Sequence, residues 1–225
     1  MQRAKSLNPR LKYKMRICEI FKSIQGESSC AGMPCVFVRL TGCNLRCSYC
    51  DTTYAYEEGA EMSVDEVCEA VEKYATELVE VTGGEPLEQA DTALLIRRLL
   101  DSGHTVLVET NGSKDISVVD RRAIIIMDIK SPGSGMFRSM DLGNLRRLRP
   151  SDELKFVVAD RAEYEWAKAF IADNGLAGKC LLNLSPAFGV LAPRRLAEWI
   201  IEDGLKVRLN MQLHKYIFNP DERGV

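Results

Sequence analysis

Short apolar runs alternate with amphipathic helical patterns along most of this chain, and that alternation restricts the fold more than any other feature. The segments MRICEIF, CVFVRL, LVEVTG, TVLVET, AIIIMDIK, ELKFVV, CLLNL and LKVRLN read as strands. Between them, helical spacing covers 64–74, 91–100, 162–173 and 194–201, and Ser63 with Glu66 forms a capping box ahead of the first. Strands that alternate with helices specify parallel βα units, because a parallel neighbour is reached only through a long crossover. About six such units in roughly 210 residues fall short of a closed eightfold barrel. The expected fold is therefore α/β, an open, partial (βα)6-type barrel, with a doubly wound sheet as the alternative. In either topology, ligand-binding side chains gather where the βα loops converge, at the carboxyl ends of the strands.

The first fourteen residues hold five Lys or Arg and no periodicity, so an N-terminal extension over 1–14 is expected ahead of one domain over 15–225. With 225 residues, 46% of them hydrophobic, the chain can bury one sizeable core. A net charge of −2, with both signs interspersed, creates no field to recruit nucleic acid or an anionic membrane; a small ligand is expected instead. No apolar run approaches the roughly 18 residues of a membrane span, and the start lacks the apolar stretch of a secretory signal, so a cytoplasmic protein is expected. Eight cysteines in a reducing compartment point to metal or catalysis rather than disulfides. Cys18, Cys30, Cys35, Cys68 and Cys180 are scattered and read as small buried hydrophobes.

The other three are grouped. Cys43-Asn-Leu-Arg-Cys47-Ser-Tyr-Cys50 follows the strand CVFVRL, with Thr41 and Gly42 making the turn. Three thiolates so close in sequence can converge on one inorganic centre, zinc or iron–sulfur. A structural zinc site needs four protein ligands, and the only histidines are His104 and His214. A cubane held by three cysteines leaves one iron open. Downstream, Thr82-Gly83-Gly84-Glu85-Pro86, Glu109-Thr110-Asn111-Gly112 and Lys130-Ser131-Pro132 end successive strands, and SPGSG over 131–135 is a loop. Glycines in the first of these let backbone approach a ligand closely.

The CxxxCxxC spacing together with the GGEP loop resembles the radical S-adenosylmethionine superfamily, over nearly the whole length from Met15. The resemblance implies the radical SAM fold, a 4Fe–4S cluster on Cys43, Cys47 and Cys50, and S-adenosylmethionine on the open iron. By the same resemblance the Gly84 loop meets the methionine amino group, Glu109, Asn111, Lys130, Ser131 and Pro132 line the adenosine, and Tyr49 and Asp51 border the adenine.

Three further clusters bear on the substrate: Ile24-Gln25-Gly26-Glu27 after the first strand, Asp51-Thr52 after the last cluster cysteine, and Gln212-Leu213-His214-Lys215 near the end. Gln25 and Glu27 offer an amide and acceptors suited to a heterocycle with N–H edges, and Arg39 offers a fork suited to a carboxylate. An arginine inside an apolar strand needs a buried anionic partner, unless it snorkels from an edge. His104, in a helix-to-strand turn, reads as structural. Together FKSIQGE, the block from Ala31 to Thr52 and QLHK resemble the 7-carboxy-7-deazaguanine synthase family from Met15 to Lys215. That resemblance implies conversion of 6-carboxy-5,6,7,8-tetrahydropterin to 7-carboxy-7-deazaguanine with loss of ammonia, a step of 7-deazapurine (queuosine) biosynthesis. It further implies Mg2+ on Thr52, a pterin site made by Ile24, Gln25, Gly26, Glu27, Arg39, Thr82, Gln212, His214 and Pro220, a homodimer, and an electron donor such as flavodoxin or ferredoxin. Family members usually stop soon after QxHK at a proline that meets the substrate, whereas this sequence runs on through Pro220 to Val225. The alternatives are a glycyl-radical-type activase, which would need a protein-docking surface, and a noncatalytic zinc or Fe–S module.

Overall fold

Nine strands form one sheet among the described residues, 14–225 of a computed structural model. The strands are β1 (Lys14–Ile24), β2 (Pro34–Leu40), β3 (Ala60–Ser63), β4 (Leu78–Gly83), β5 (Thr105–Thr110), β6 (Ile124–Ile129), β7 (Glu153–Val158), β8 (Leu181–Pro186) and β9 (Arg208–Leu209). The helices are α1 (Val64–Glu72), α2 (Thr92–Asp101), α3 (Asn144–Arg147), α4 (Arg161–Asp173), α5 (Pro193–Asp203) and α6 (His214–Ile217). The expected extension over 1–14 lies, apart from Lys14, outside the described residues.

The sheet runs β3-β1-β2-β4-β5-β6-β7-β8-β9, antiparallel across the first three strands and parallel from β2 onward. Every segment expected as a strand is one, although LKVRLN contributes only Arg208–Leu209. The antiparallel β3 was not expected, since AEMS is too short to display alternation. Nor is every crossover helical: β5 and β6 are joined through a single 3-10 turn, Ile116–Val118. The loop expected over 131–135 contains another such turn, Pro132–Ser134.

Helices cover only one face, which decides between the two topologies. Val67 and Val71 of α1, Leu95, Ile96 and Leu99 of α2, Tyr164, Ala167, Phe170 and Ile171 of α4, and Leu196 of α5 share one apolar core with the residues of β2, β4, β5 and β6 that point outward, such as Val36, Val38, Val79, Val81, Val106, Val108 and Met127. Each large aliphatic side chain taken from water there contributes roughly 1.5–3 kcal/mol. A doubly wound sheet would carry helices on both faces. Here the opposite face is concave, with a small separate apolar floor of Cys35, Phe37, Leu78, Leu107 and Ile126. The fold is an open α/β barrel, its edges at β3 and β9. At the first crossover, Ser63 Oγ accepts from Glu66 N–H at 3.2 Å while the Glu66 carboxylate accepts from Ser63 N–H at 2.7 Å, so the capping box forms as expected. His104 is structural: its ring bridges Thr76 O and the Glu72 carboxylate, each at 3.1 Å.

Candidate active site

Period-two alternation carries polar residues onto the concave face directly above that floor. Arg39 on β2, Glu80 and Thr82 on β4, Glu109 on β5, Asp128 on β6 and Lys155 on β7 line one cavity of about 750 Å³. The three cysteines lie in the same cavity, as do all the expected site residues except Gly26, Ser131 and Pro132. Ser131 is buried, with its hydroxyl donating to Glu163. Gly26 lies beneath His214, where an added Cβ would come within 2.0 Å of the imidazole Nδ1.

The cluster loop is pinned at both ends. Gly42 turns the chain with φ +98, a conformation that favours glycine, and its N–H donates to Ala55 O at 2.8 Å. The Thr41 hydroxyl donates to Glu58 O at 2.6 Å. Ser48 donates from backbone and side chain to the carbonyls of Ser134 and Gly133, at 3.2 and 3.0 Å, so the 131–135 loop docks on the cysteine loop. Cys43, Cys47 and Cys50 are free and half-buried. Burial pushes the Cys43 and Cys47 thiols up, and a metal centre would offset that cost by binding them as thiolates. Two donors already aim at Cys43 Sγ, Leu45 N–H at 3.4 Å and the Asn111 amide at 3.7 Å, as sulfur ligands of a cluster require. Among the described residues no three His, Cys, Asp or Glu side chains are gathered closely enough to hold one metal ion.

Gly84 has a tighter duty than the sequence suggested. A Cβ there would lie 2.1 Å from Gly42 O and 2.8 Å from Cys43 Cβ, so the glycine is required by the cluster loop packed against it. Glu85 N–H donates to Gly42 O at 2.7 Å, and the fully buried Glu85 carboxylate accepts from Leu87 N–H, the Thr110 hydroxyl and Asn111 N–H at 3.0, 2.8 and 2.7 Å. The GGEP turn thereby fastens the cysteine loop to the ETNG turn. Gly84→Ala is expected to displace Gly42 and Cys43, lowering iron content and melting temperature together, with a cost of about 1–3 kcal/mol for the forced overpacking. Iron analysis and thermal melting check this; normal values of both would contradict it.

A charged network lies above the apolar floor. Lys155 Nζ donates to Glu27 at 2.9 Å and to Glu109, which also accepts from the Thr82 hydroxyl at 3.1 Å. Burial alone would raise the Glu109 carboxyl, but Lys155 outweighs it and holds the group down at about 2. Lys155 keeps its proton well above the ordinary lysine value: burial opposes the charge, and Glu109 and Glu27 overcome that cost. Glu27 further accepts from Gln212 at 3.0 Å and Asn210 at 3.3 Å. Gln212 and Lys215 also meet Asp51, tying QLHK to the cluster loop; burial opposes the Asp51 charge, but Lys215 prevails and depresses its carboxyl. Burial lowers the His214 imidazole below its ordinary value, leaving it neutral at pH 7.

An anionic partner for Arg39 comes from the protein itself, and it is half-buried. Glu19, opposite Arg39 in the β1–β2 register, accepts from Arg39 Nε at 2.8 Å and from the Tyr54 hydroxyl at 2.8 Å. The two terminal guanidinium nitrogens of Arg39 have no partner among the described residues, and Arg39 lines the cavity. Arg223 stacks 3.8 Å over the Tyr54 ring and pairs with Glu58 at 2.8 Å, bringing residues 220–225 to the cavity wall. The Gln25 amide donates to Glu80 on one side and accepts from Glu27 N–H at 2.9 Å on the other. Glu19, Tyr54, Glu80, Asp128, Lys155, Asn210 and Arg223 were not foreseen. For Glu80, Asp128 and Lys155 a signal existed: each interrupts an apolar strand at a position in phase with that strand's inner face.

Comparison with known proteins places the chain. The model of the radical SAM superfamily matches residues 37–126. A 7-carboxy-7-deazaguanine synthase of Chlorobaculum tepidum is 51% identical, covering 94% of this chain and 97% of its own length. This chain belongs to the 7-carboxy-7-deazaguanine synthase family. A second synthase of the family, from Koribacter versatilis, is 44% identical over 94% of this chain and 100% of its own. The crystal structure of QueE from Escherichia coli matches with a TM-score of 0.75 at 22% identity, covering 89% of this chain and 95% of that one, and supports the same fold. As a member of this radical SAM family the chain is an enzyme of 7-deazapurine biosynthesis whose family uses a 4Fe–4S cluster and S-adenosylmethionine. Neither the activase nor the noncatalytic module survives that placement. No helix among the described residues is long and apolar enough to cross a membrane.

Proposed function

We propose that this enzyme converts 6-carboxy-5,6,7,8-tetrahydropterin to 7-carboxy-7-deazaguanine with loss of ammonia, on the way to queuosine or another 7-deazapurine. The observation that carries the reading is one cavity in which three free thiols face a guanidinium with open terminal nitrogens. Cys43, Cys47 and Cys50 would hold the cluster, and Gly84 keeps their loop seated. Two buried polar atoms without partners among the described residues, the Tyr49 hydroxyl and Asp128 Oδ1, fit an adenosine as their missing partner. Lys130, donating to the other Asp128 oxygen at 2.6 Å, stands beside Tyr49. Glu109, Asn111, Asp51, Ser131 and Pro132 complete this half of the proposal, with Ser131 and Pro132 acting through the loop that docks on the cysteines.

The bound cluster and S-adenosylmethionine together supply a one-electron reductive cleavage that yields a hydrogen-abstracting radical. The chain's own residues position the pterin. Arg39, oriented by Glu19, takes the substrate carboxylate in its open fork. Glu27, fixed by Lys155, Asn210 and Gln212, accepts from N–H edges of the ring, and the neutral His214 offers a ring nitrogen. Ile24, Gly26, Thr82 and Pro220 shape the pocket, while Gln25 lines it and holds the turn that carries Glu27. Residues 220–225 help exclude water. Thr52, whose hydroxyl donates to Asp51 at 2.9 Å, is proposed as a Mg2+ ligand; with so few protein oxygens nearby, substrate oxygens would complete the shell. The eight free cysteines suit a reducing cytoplasm, and the exposed Val190, Ile201 and Ile217 suit a homodimer interface. A flavodoxin or ferredoxin would supply the electron.

Arg39→Lys tests the pterin assignment. Lysine keeps the charge and loses the fork, so KM for the carboxypterin should rise about tenfold to a hundredfold, equivalent to roughly 1.5–3 kcal/mol, while the cluster and uncoupled cofactor cleavage persist. The wild type should discriminate strongly against an analogue lacking the carboxylate, and the variant should not. Equal discrimination by both would remove Arg39 from the site, and a wild type indifferent to the carboxylate would overturn the substrate reading.

A further inference from the structure

Glu80 stands in the middle of β4 with its side chain on the concave face, 3% exposed. Its hydrogen-bond partner among the described residues is the Gln25 amide, which donates from Nε2 to Glu80 Oε2. The far end of the same amide accepts from Glu27 N–H at 2.9 Å, and Glu27 then reaches Lys155 at 2.9 Å. The nearby cations are engaged elsewhere, Lys155 by Glu27 and Glu109, Arg39 by Glu19.

We propose that Glu80 is a positioning residue for the pterin: by holding Gln25 it sets the turn that presents Glu27 to the cavity. The inference rests on the proposed role of Glu27 in binding the substrate. Glu80 performs this task as an uncharged acid. Glu109 from β5 and Glu27 from the β1–β2 loop face it with negative charge, Lys155 from β7 and Arg39 from β2 face it with positive charge already paired, and the Cys35 and Cys30 thiols lie on its remaining side. A third carboxylate in that network would have neither a cation of its own nor a backbone donor. Burial accordingly pushes the Glu80 carboxyl well above the ordinary range, and Glu109 pushes it further.

Two variants and two readouts test this on the reconstituted holoenzyme. Glu80→Ala leaves the buried Gln25 amide without an acceptor and should raise KM for the carboxypterin about tenfold or more, with kcat less affected. Glu80→Gln keeps a neutral acceptor for Gln25 and should rescue KM to within about threefold of the wild type. The second readout is thermal melting without pterin, from about pH 6 to about pH 9. An acid whose folded value is raised stabilises fully below its unfolded value, about 4.3, and that stability is lost as pH rises towards the folded value. The wild type should therefore lose Tm steadily relative to Glu80→Gln across this window. A Tm difference that stays constant with pH would show an ionised Glu80 and overturn the proposal, as would Glu80→Gln raising KM as far as Glu80→Ala. If the wild type turns over normally and Glu80→Ala leaves KM unchanged, this inference alone fails. If the wild type shows no saturable turnover of the carboxypterin, the substrate reading fails and takes this inference with it.

Discussion

Each of Cys43→Ala, Cys47→Ala and Cys50→Ala is expected to abolish formation of 5′-deoxyadenosine from S-adenosylmethionine. Two thiolates cannot hold the cubane with its fourth iron open, so the loss should be complete rather than partial. Cys35→Ala is the control, because Cys35 belongs to the apolar floor and not to the cysteine loop. It should cost some stability and leave the cleavage chemistry in place; among the other scattered cysteines, Cys18 and Cys68 should behave alike. Product formation by reconstituted variants, alongside iron and acid-labile sulfide content, reads the result. A scattered cysteine as essential as the triplet would mean that the ligands are misassigned.

Lys155→Met should have the largest effect on the fold of any single change in the cavity. The buried ammonium is the shared partner of the half-buried Glu27 and Glu109, and its removal leaves these two carboxylates close together without a cation between them. Breaking a buried pair in this way costs about 3–5 kcal/mol. In a chain of this size each kcal/mol lowers Tm by about 2–4 °C, so a fall of about 6–20 °C is expected. The pH dependence identifies the cause. Glu109 is held at about 2 in the folded protein, so its stabilisation is present above the ordinary carboxylate value and lost as pH falls through about 2. In Lys155→Met that contribution is missing, and protonation relieves the two carboxylates, so the deficit relative to wild type should be greatest near neutrality and shrink towards about pH 4. Melting curves at a series of pH values check it; a deficit independent of pH would indicate simple mispacking.

Much of this site could be read from residue order because local rules govern it. Strand and helix periods placed the parallel sheet, and the CxxxCxxC turn and GGEP turn follow strands whose registers bring Leu40 beside Gly83. What could not be read depends on contacts far apart in the chain. Nothing near Arg39 in sequence announces Glu19 as its partner, because the β1–β2 pairing that makes them neighbours contains an irregularity in register. Nothing near Gln25 announces that its amide donates to Glu80, fifty-five positions away. The close packing of Gly42 and Cys43 against Gly84 could not be read either. Among the described residues strand β3 pairs only with β1, and a four-residue edge strand has too few positions to show a period.

The central claim is that one cavity holds both the radical-generating machinery and a carboxypterin. It is tested most directly by anaerobic reconstitution with iron and sulfide, followed by incubation with 6-carboxy-5,6,7,8-tetrahydropterin, S-adenosylmethionine, Mg2+ and a reductant. The predicted result is 7-carboxy-7-deazaguanine and ammonia in equal amounts, with Arg39→Lys needing far more pterin for the same rate. Cleavage of S-adenosylmethionine that proceeds while the pterin is recovered unchanged would contradict it.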